Sequence, residues 1–120
     1  MPAENASVLV VGSSNGVRPD ERLEVYSASK AALSNLVHNW SRQSRARRFR
    51  VDLLSPGPTR TPGLLGAAGG DADGFAEAFV PLGRLADADE IAEAALFLAS
   101  DASSFVTGAE LFADGGYTRA

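Results

Sequence analysis

A chain of 120 residues with 45% apolar and 22% charged side chains has material for one globular domain and too little for two. It has no cysteine and one histidine, His38, which excludes disulfides and thiolate metal sites and leaves too little for a histidine-based metal cluster or catalytic triad. A formal charge of −4 gives no general attraction to nucleic acid or an anionic membrane, and no apolar run approaches the length of a membrane span. The start MPAENASVLVV lacks signal-peptide features, so a soluble, cytoplasmic domain is expected.

Ser7 to Val11 is short, valine-rich and apolar at successive positions, the pattern of a strand buried on both faces of a parallel sheet. Residues 12 to 25 read as a connection, with Gly12, Gly16, Pro19 and the charged run Arg18 to Glu24. From Tyr26 the pattern turns helical: Leu33, Leu36, Val37 and Trp40 recur at helical spacing among the strong helix formers Ala28, Ala31 and Ala32. Arg42, Arg45, Arg47, Arg48 and Arg50 crowd the C-terminal end, where cations complement the helix dipole. In an acidic chain they read as a solvated helix end rather than a nucleic-acid patch.

Phe49 to Leu54 reads as a second buried strand, ended by Ser55-Pro56-Gly57-Pro58. The glycine- and proline-rich residues 57–74 predict a mobile loop, with a short helix over Phe75 to Val80 in the same excursion. Asp87-Ala-Asp-Glu90 resembles a capping box and precedes Ile91, Ala94, Ala95 and Leu98 on one helical face. Ala109 to Ala113 reads as a third strand, closed by Asp114-Gly115-Gly116. Strand, helix, strand, helix, strand predicts an α/β fold, a parallel sheet of three strands joined by right-handed crossover helices.

Two glycines after the first strand raise the question of a phosphate-cradling loop. A dinucleotide-binding turn uses a third glycine and opens an apolar helix at the pyrophosphate. Here Arg18 stands near the third glycine's place, and Pro19 with a charged run follows. The alternative is a turn that presents Ser13 or Ser14 at the C-terminal end of a strand, where α/β enzymes place their sites.

Tyr26-Ser-Ala-Ser-Lys30 supports the alternative, because a phenol and an ammonium at i and i+4 are neighbours on one helical face. A free phenol titrates near ~10, and an adjacent cation favours its phenolate form. A serine hydroxyl beside the phenol can hold a carbonyl oxygen where the phenolic proton reaches it. These are the parts of a device that protonates oxygen while hydride arrives at carbon.

The stretches VLVVGSSNG, YSASKAAL, VDLLSPGPTRTPG and GRLADADEIAEAALFLASDASSFVTGAELFADGG together resemble the short-chain dehydrogenase/reductase family, in its order and spacing. The resemblance implies the C-terminal half of a doubly wound Rossmann-type fold, one truncated domain over residues 1–120. It implies an NAD(P)-dependent oxidoreductase acting on a small carbonyl or secondary alcohol. It assigns Ser13 as the substrate-orienting hydroxyl (Ser14 is the runner-up), Tyr26 as the acid–base residue and Lys30 as the ribose-binding lysine that tunes it. Pro56, Gly57, Thr59 and Thr61 would line the nicotinamide or reach its amide and phosphates. Residues 62–83, and chiefly Leu64 to Val80, would form a flexible substrate-covering loop.

Only Met1 to Ala6 precede the first strand, so these 120 residues leave no place for the family's glycine-rich phosphate loop. The residue that chooses NAD or NADP, and an asparagine of the catalytic set, would also lie upstream. Without those elements the strand at Ser7 to Val11 becomes an apolar sheet edge, and Leu36, Val37 or Trp40 needs cover. A homo-oligomer or a complementing N-terminal half is therefore expected as partner, beside the small-molecule substrate. The contrasting hypothesis is a non-catalytic scaffold or oligomerisation module, which has no physical need for Ser13, Tyr26 and Lys30. His38 reads as a polar helix position, Trp40 as a packing residue, and Asp114 as a turn former rather than a metal ligand.

Overall fold

The computed structural model describes residues 3–67 and 69–120. Three parallel strands, β1 (Ser7–Val11), β2 (Arg50–Pro56) and β3 (Glu110–Ala113), form one sheet in that order, with β2 central. Ser7 pairs with Arg50 and Val11 with Leu54; Leu53 pairs with Glu110 and Pro56 with Ala113. Since all strands point one way, the segments after Val11, Pro56 and Ala113 emerge along one edge of the sheet. That edge is where open α/β sheets hold their ligands.

Helix α1 (Glu24–Gln43) covers one face of the sheet. Val37 is buried against Val51 and Leu53, with Val8, Val10, Leu33 and Phe49 around them. Glu110 braces the same side, accepting from Ser34 Oγ of α1 and Ser55 Oγ of β2, each at 2.8 Å. The sequence places the helix start at Tyr26; it begins two residues earlier, on Leu23, which makes no side-chain cap and so leaves no signal.

Helix α2 (Pro62–Ala67) and helix α3 (Ala72–Phe79) occupy the excursion after β2, where the sequence suggests a loop with one short helix. Each start has a visible cause: Thr61 Oγ1 accepts from Leu64 N (3.2 Å) before Pro62 at the first helical position, and Asp71 Oδ1 accepts from Gly74 N (3.3 Å). Ala72, Ala76, Val80 and Leu85 make a second small core with Leu64 and Tyr117.

Helix α4 (Ala88–Ala99) opens at Asp87 as expected, with Glu90 Oε2 accepting from Asp87 N (2.9 Å) and Arg84 holding the same carboxylate. It lies on the face opposite α1. Ser7 Oγ donates to Leu98 O (2.9 Å), whereas the next strand residue, Val8, joins the α1 core. Adjacent parallel strands that step in one direction, with helices on opposite faces, require crossovers of opposite hand. The expectation of two right-handed crossovers therefore fails for one of them. The α2–α3 excursion gives the second connection length to change faces.

Arg50 corrects a further expectation. It lies in the second strand, as expected, but is not part of a solvated helix end: half-buried, it grips the end of α4, donating to Leu98 O, Ser100 O, Ser103 Oγ and Val106 O at 2.9–3.3 Å. No helix among the described residues is long and apolar enough to cross a membrane.

Candidate active site

The turn after β1 is built on two close approaches. A side chain at Gly12 would meet Ser55 Oγ at 2.9 Å and Leu53 Cδ1 at 3.1 Å, so only hydrogen fits over β2. At Gly16 it would meet Ala31 N and Lys30 C at 3.1 Å, so the turn docks on the helix backbone beside Lys30. Between these glycines, Ser13 is extended (φ −161°, ψ 149°) and half-buried, its Oγ accepting from Asn15 N at 3.1 Å. Its hydroxyl proton stays free to donate. Ser14 is buried, and its carbonyl takes the amides of Val17 and Arg18, so it fits a structural part of the turn.

Lys30 lies on the side of α1 that faces this strand end, and Tyr26 precedes it by one helical turn. The Lys30 ammonium is 5.6 Å from the Tyr26 ring centroid and donates to Val11 O, the last carbonyl of β1, at 3.3 Å. Lysine thus ties the phenol-bearing turn of the helix to the strand from which Ser13 issues two residues later. Tyr26 is 43% exposed, and its hydroxyl has no protein partner among the described residues.

The second wall comes from the end of β2. Gly57 N donates to Ala113 O (3.0 Å), and a Cβ there would lie 2.6 Å from Asp114 Cα, so glycine is dictated by the neighbouring strand. Thr59 Oγ1 donates to Gly57 O (2.9 Å), and the backbone at Thr59 bridges to Ala86. Thr61 has its hydroxyl oxygen on Leu64 N, which leaves its proton to offer.

Asp114 closes the third strand as a turn former. Burial pushes its carboxyl up, but donation from Thr118 Oγ1 (2.7 Å), Thr118 N (3.0 Å) and Gly116 N (2.9 Å) outweighs that and holds it below the ordinary 3.8. Gly115 (φ +61°) and Gly116 (φ +91°) supply the left-handed backbone the turn needs. No cluster of metal ligands occurs among the described residues. His38 is an exposed helix position, and Trp40 is partly exposed on α1.

Two residues here have no role in the sequence reading. Arg18 NH1 donates to Tyr117 O at 2.5 Å, and its guanidinium lies 4.3 Å over the Tyr117 ring. The Phe75 ring of α3 packs on Tyr117 at 5.8 Å. Arg18 is visible in the sequence only as the residue near a missing glycine; its partner 99 positions away has no local signal.

A parallel sheet whose strand ends gather a serine turn, a tyrosine–lysine pair and a glycine–threonine loop is the second half of a doubly wound Rossmann domain. Residues 1–118 match the family model described as enoyl-(acyl carrier protein) reductase, and the chain belongs to the short-chain dehydrogenase/reductase family. It is 40% identical over 116 residues to cis-4-hydroxycyclohexanecarboxylate dehydrogenase of Sinomonas cyclohexanicum, covering 97% of this chain and 46% of that protein. It is 39% identical over 110 residues to 4-formylbenzenesulfonate dehydrogenase of Comamonas testosteroni, covering 88% of this chain and 44% of that one. A solved structure of BdcA in complex with NADPH superposes with a TM-score of 0.87 at 30% identity, over 96% of this chain and 47% of that one. The chain thus spans about half the length of the curated relatives it matches.

Proposed function

We propose that this chain carries the proton-delivery half of an NAD(P)-dependent oxidoreductase that interconverts a carbonyl and a secondary alcohol. One observation carries the reading: the Lys30 ammonium spans from the Tyr26 ring to the Val11 carbonyl, next to the strand end that presents Ser13. When bound, the nicotinamide cofactor supplies or accepts the hydride. The donors present suit it. Lys30 keeps protons beyond its one bond to Val11 for ribose hydroxyls, and Thr61 keeps one for an amide or phosphate. Pro56, Gly57 and Thr59 offer backbone along the same wall.

In reduction, the Ser13 hydroxyl donates to the carbonyl oxygen and fixes its direction. Tyr26 gives its phenolic proton to that oxygen as the carbon gains hydride, which leaves a phenolate facing the Lys30 cation. Oxidation of the alcohol reverses each transfer. The helices α2 and α3, inside residues 62–83, would cover the substrate, a flexible lid resting on its own small core. Two relatives are named for six-membered rings that carry a carboxylate or sulfonate together with a hydroxyl or formyl group, which suggests a ring alcohol or ketone with an anionic group.

The phosphate loop would come from a complementary half or a partner chain. The open edge of β1, and the exposed Leu36 and Trp40 of α1, favour that completion or a homo-oligomer. A cytoplasmic location suits this chemistry. The contrasting reading is a scaffold without turnover. Titration with NADH and NADPH, followed by nicotinamide fluorescence, separates the two. Micromolar binding supports the oxidoreductase, and no binding by the chain supports the scaffold.

A further inference from the structure

Resting on the redox reading above, we propose that Arg18 is the residue that recognises an anionic group on the substrate. The site would then select carbonyl or alcohol compounds bearing a carboxylate or sulfonate away from the reacting carbon.

Arg18 stands where three segments around the site meet. Its backbone amide donates to Ser14 O (2.9 Å) and closes the serine turn, its side chain reaches Tyr117 of the C-terminal turn, and Tyr117 packs against Phe75 of α3. Its contacts thus link the serine turn to the C-terminal turn and, through Tyr117, to α3, the helix that would cover the substrate.

Its charge is also uncommitted. Arg22, Arg48, Arg50, Arg60 and Arg84 each hold a carboxylate, respectively Asp20, Glu4, Asp52, Asp73 and Glu90. Arg18, although half-buried, has no such partner among the described residues. The nearby acids are otherwise placed. Asp20 is bound by Arg22, whose hydrogen bonds hold its carboxyl down at about 2. Asp114 is satisfied by Gly116 and Thr118. Glu21 and Glu24 lie exposed at the entry to α1.

A guanidinium carries five N–H donors, and Arg18 spends one on Tyr117 O. The ring beneath fixes the plane of the fork, so a carboxylate or sulfonate can be met by two parallel bonds without first ordering a floppy side chain. A latch that merely held the C-terminal turn would use the carbonyl bond and the ring, and would be indifferent to substrate charge.

The test compares binding of 4-oxocyclohexanecarboxylate and its neutral carboxamide to the 120-residue chain, by ligand-observed NMR titration. The carboxylate is expected to bind roughly tenfold tighter or more, the scale of one charge-assisted contact. Arg18→Gln should equalise the two ligands, and Arg18→Lys should keep part of the difference. Equal binding of the two by the wild-type chain, or no binding of either, overturns the proposal without recourse to any variant. A loss in Arg18→Gln that is the same for both ligands overturns it in favour of the latch. Turnover with NADPH is scored separately, in the chain joined to a glycine-rich cofactor half: reduction of the neutral ketone without carboxylate preference sinks Arg18 and leaves the redox reading standing. Carboxylate preference without reduction of either compound does the reverse.

Discussion

Replacement of Gly57 by alanine tests whether the wall of the site is set by packing between β2 and β3. The added Cβ would lie 2.6 Å from both Cα and Cβ of Asp114 and 3.1 Å from its carbonyl oxygen. Carbon atoms in contact rest about 3.5–4.0 Å apart, so the strand ends must part by roughly 1 Å. That opening takes the Gly57 N–Ala113 O bond, now 3.0 Å, out of hydrogen-bonding range. Overpacking costs about 1–3 kcal/mol and the lost bond about 1 kcal/mol, which sum to about 2–4 kcal/mol. At about 4 °C per kcal/mol for a chain of this size, Tm should fall by roughly 8–16 °C in a thermal melt followed by circular dichroism. Gly63→Ala is the control: on α2 its Cβ finds only Thr61 Oγ1, at 4.0 Å, and alanine is the better helix former by about 1 kcal/mol. If Gly57→Ala melts with the wild type, or above Gly63→Ala, the packing argument is wrong.

Two further perturbations probe charge. Asp114 titrates below its ordinary 3.8 in the fold, so its contribution to stability is present above that value and is lost as pH falls through the native one. Urea midpoints between pH 6 and pH 2 should therefore drop less steeply in Asp114→Asn than in wild type, and identical slopes would refute the assignment. Arg50→Ala removes the donor to four groups at the end of α4 and leaves the buried Asp52 carboxylate without its cation at 3.5 Å. It should destabilise by about 3–5 kcal/mol in urea unfolding, whereas Arg48→Ala, losing only an exposed pair with Glu4, should change stability by about 1 kcal/mol or less. Equal effects would contradict the buried role of Arg50.

Features with a local cause are legible in the sequence. The run Ser7–Val11 declares a strand, and one occupies those residues, but as an edge strand it is only half-buried, with Val11 exposed, rather than buried on both faces. The Asp87/Glu90 start of α4 and the Ile91, Ala94, Ala95, Leu98 stripe follow from capping and helical period, and Leu98 is buried as that stripe requires. The Tyr26–Lys30 neighbourhood follows from helical geometry alone. What the sequence hides is set by distant partners. Helices α2 and α3 are obscured by glycines that hydroxyl and carboxylate caps overcome. The far-face position of α4 depends on a long connection and on the grip of Arg50, which in sequence is one arginine among five. Arg18 and Tyr117 meet only through the fold.

The central claim is that Tyr26 delivers the proton. Tyr26→Phe removes one hydroxyl, keeps the ring beside Lys30, and leaves the proposed cofactor wall of Gly57 to Thr61 untouched. Assayed by NADPH oxidation with a ketone, in a protein that joins this chain to a glycine-rich cofactor half from a family member, it should lower kcat by roughly 10²–10⁴-fold. NADPH binding by fluorescence should stay as in wild type. Turnover at the wild-type rate would contradict the account, as would a fall in kcat fully matched by lost cofactor binding.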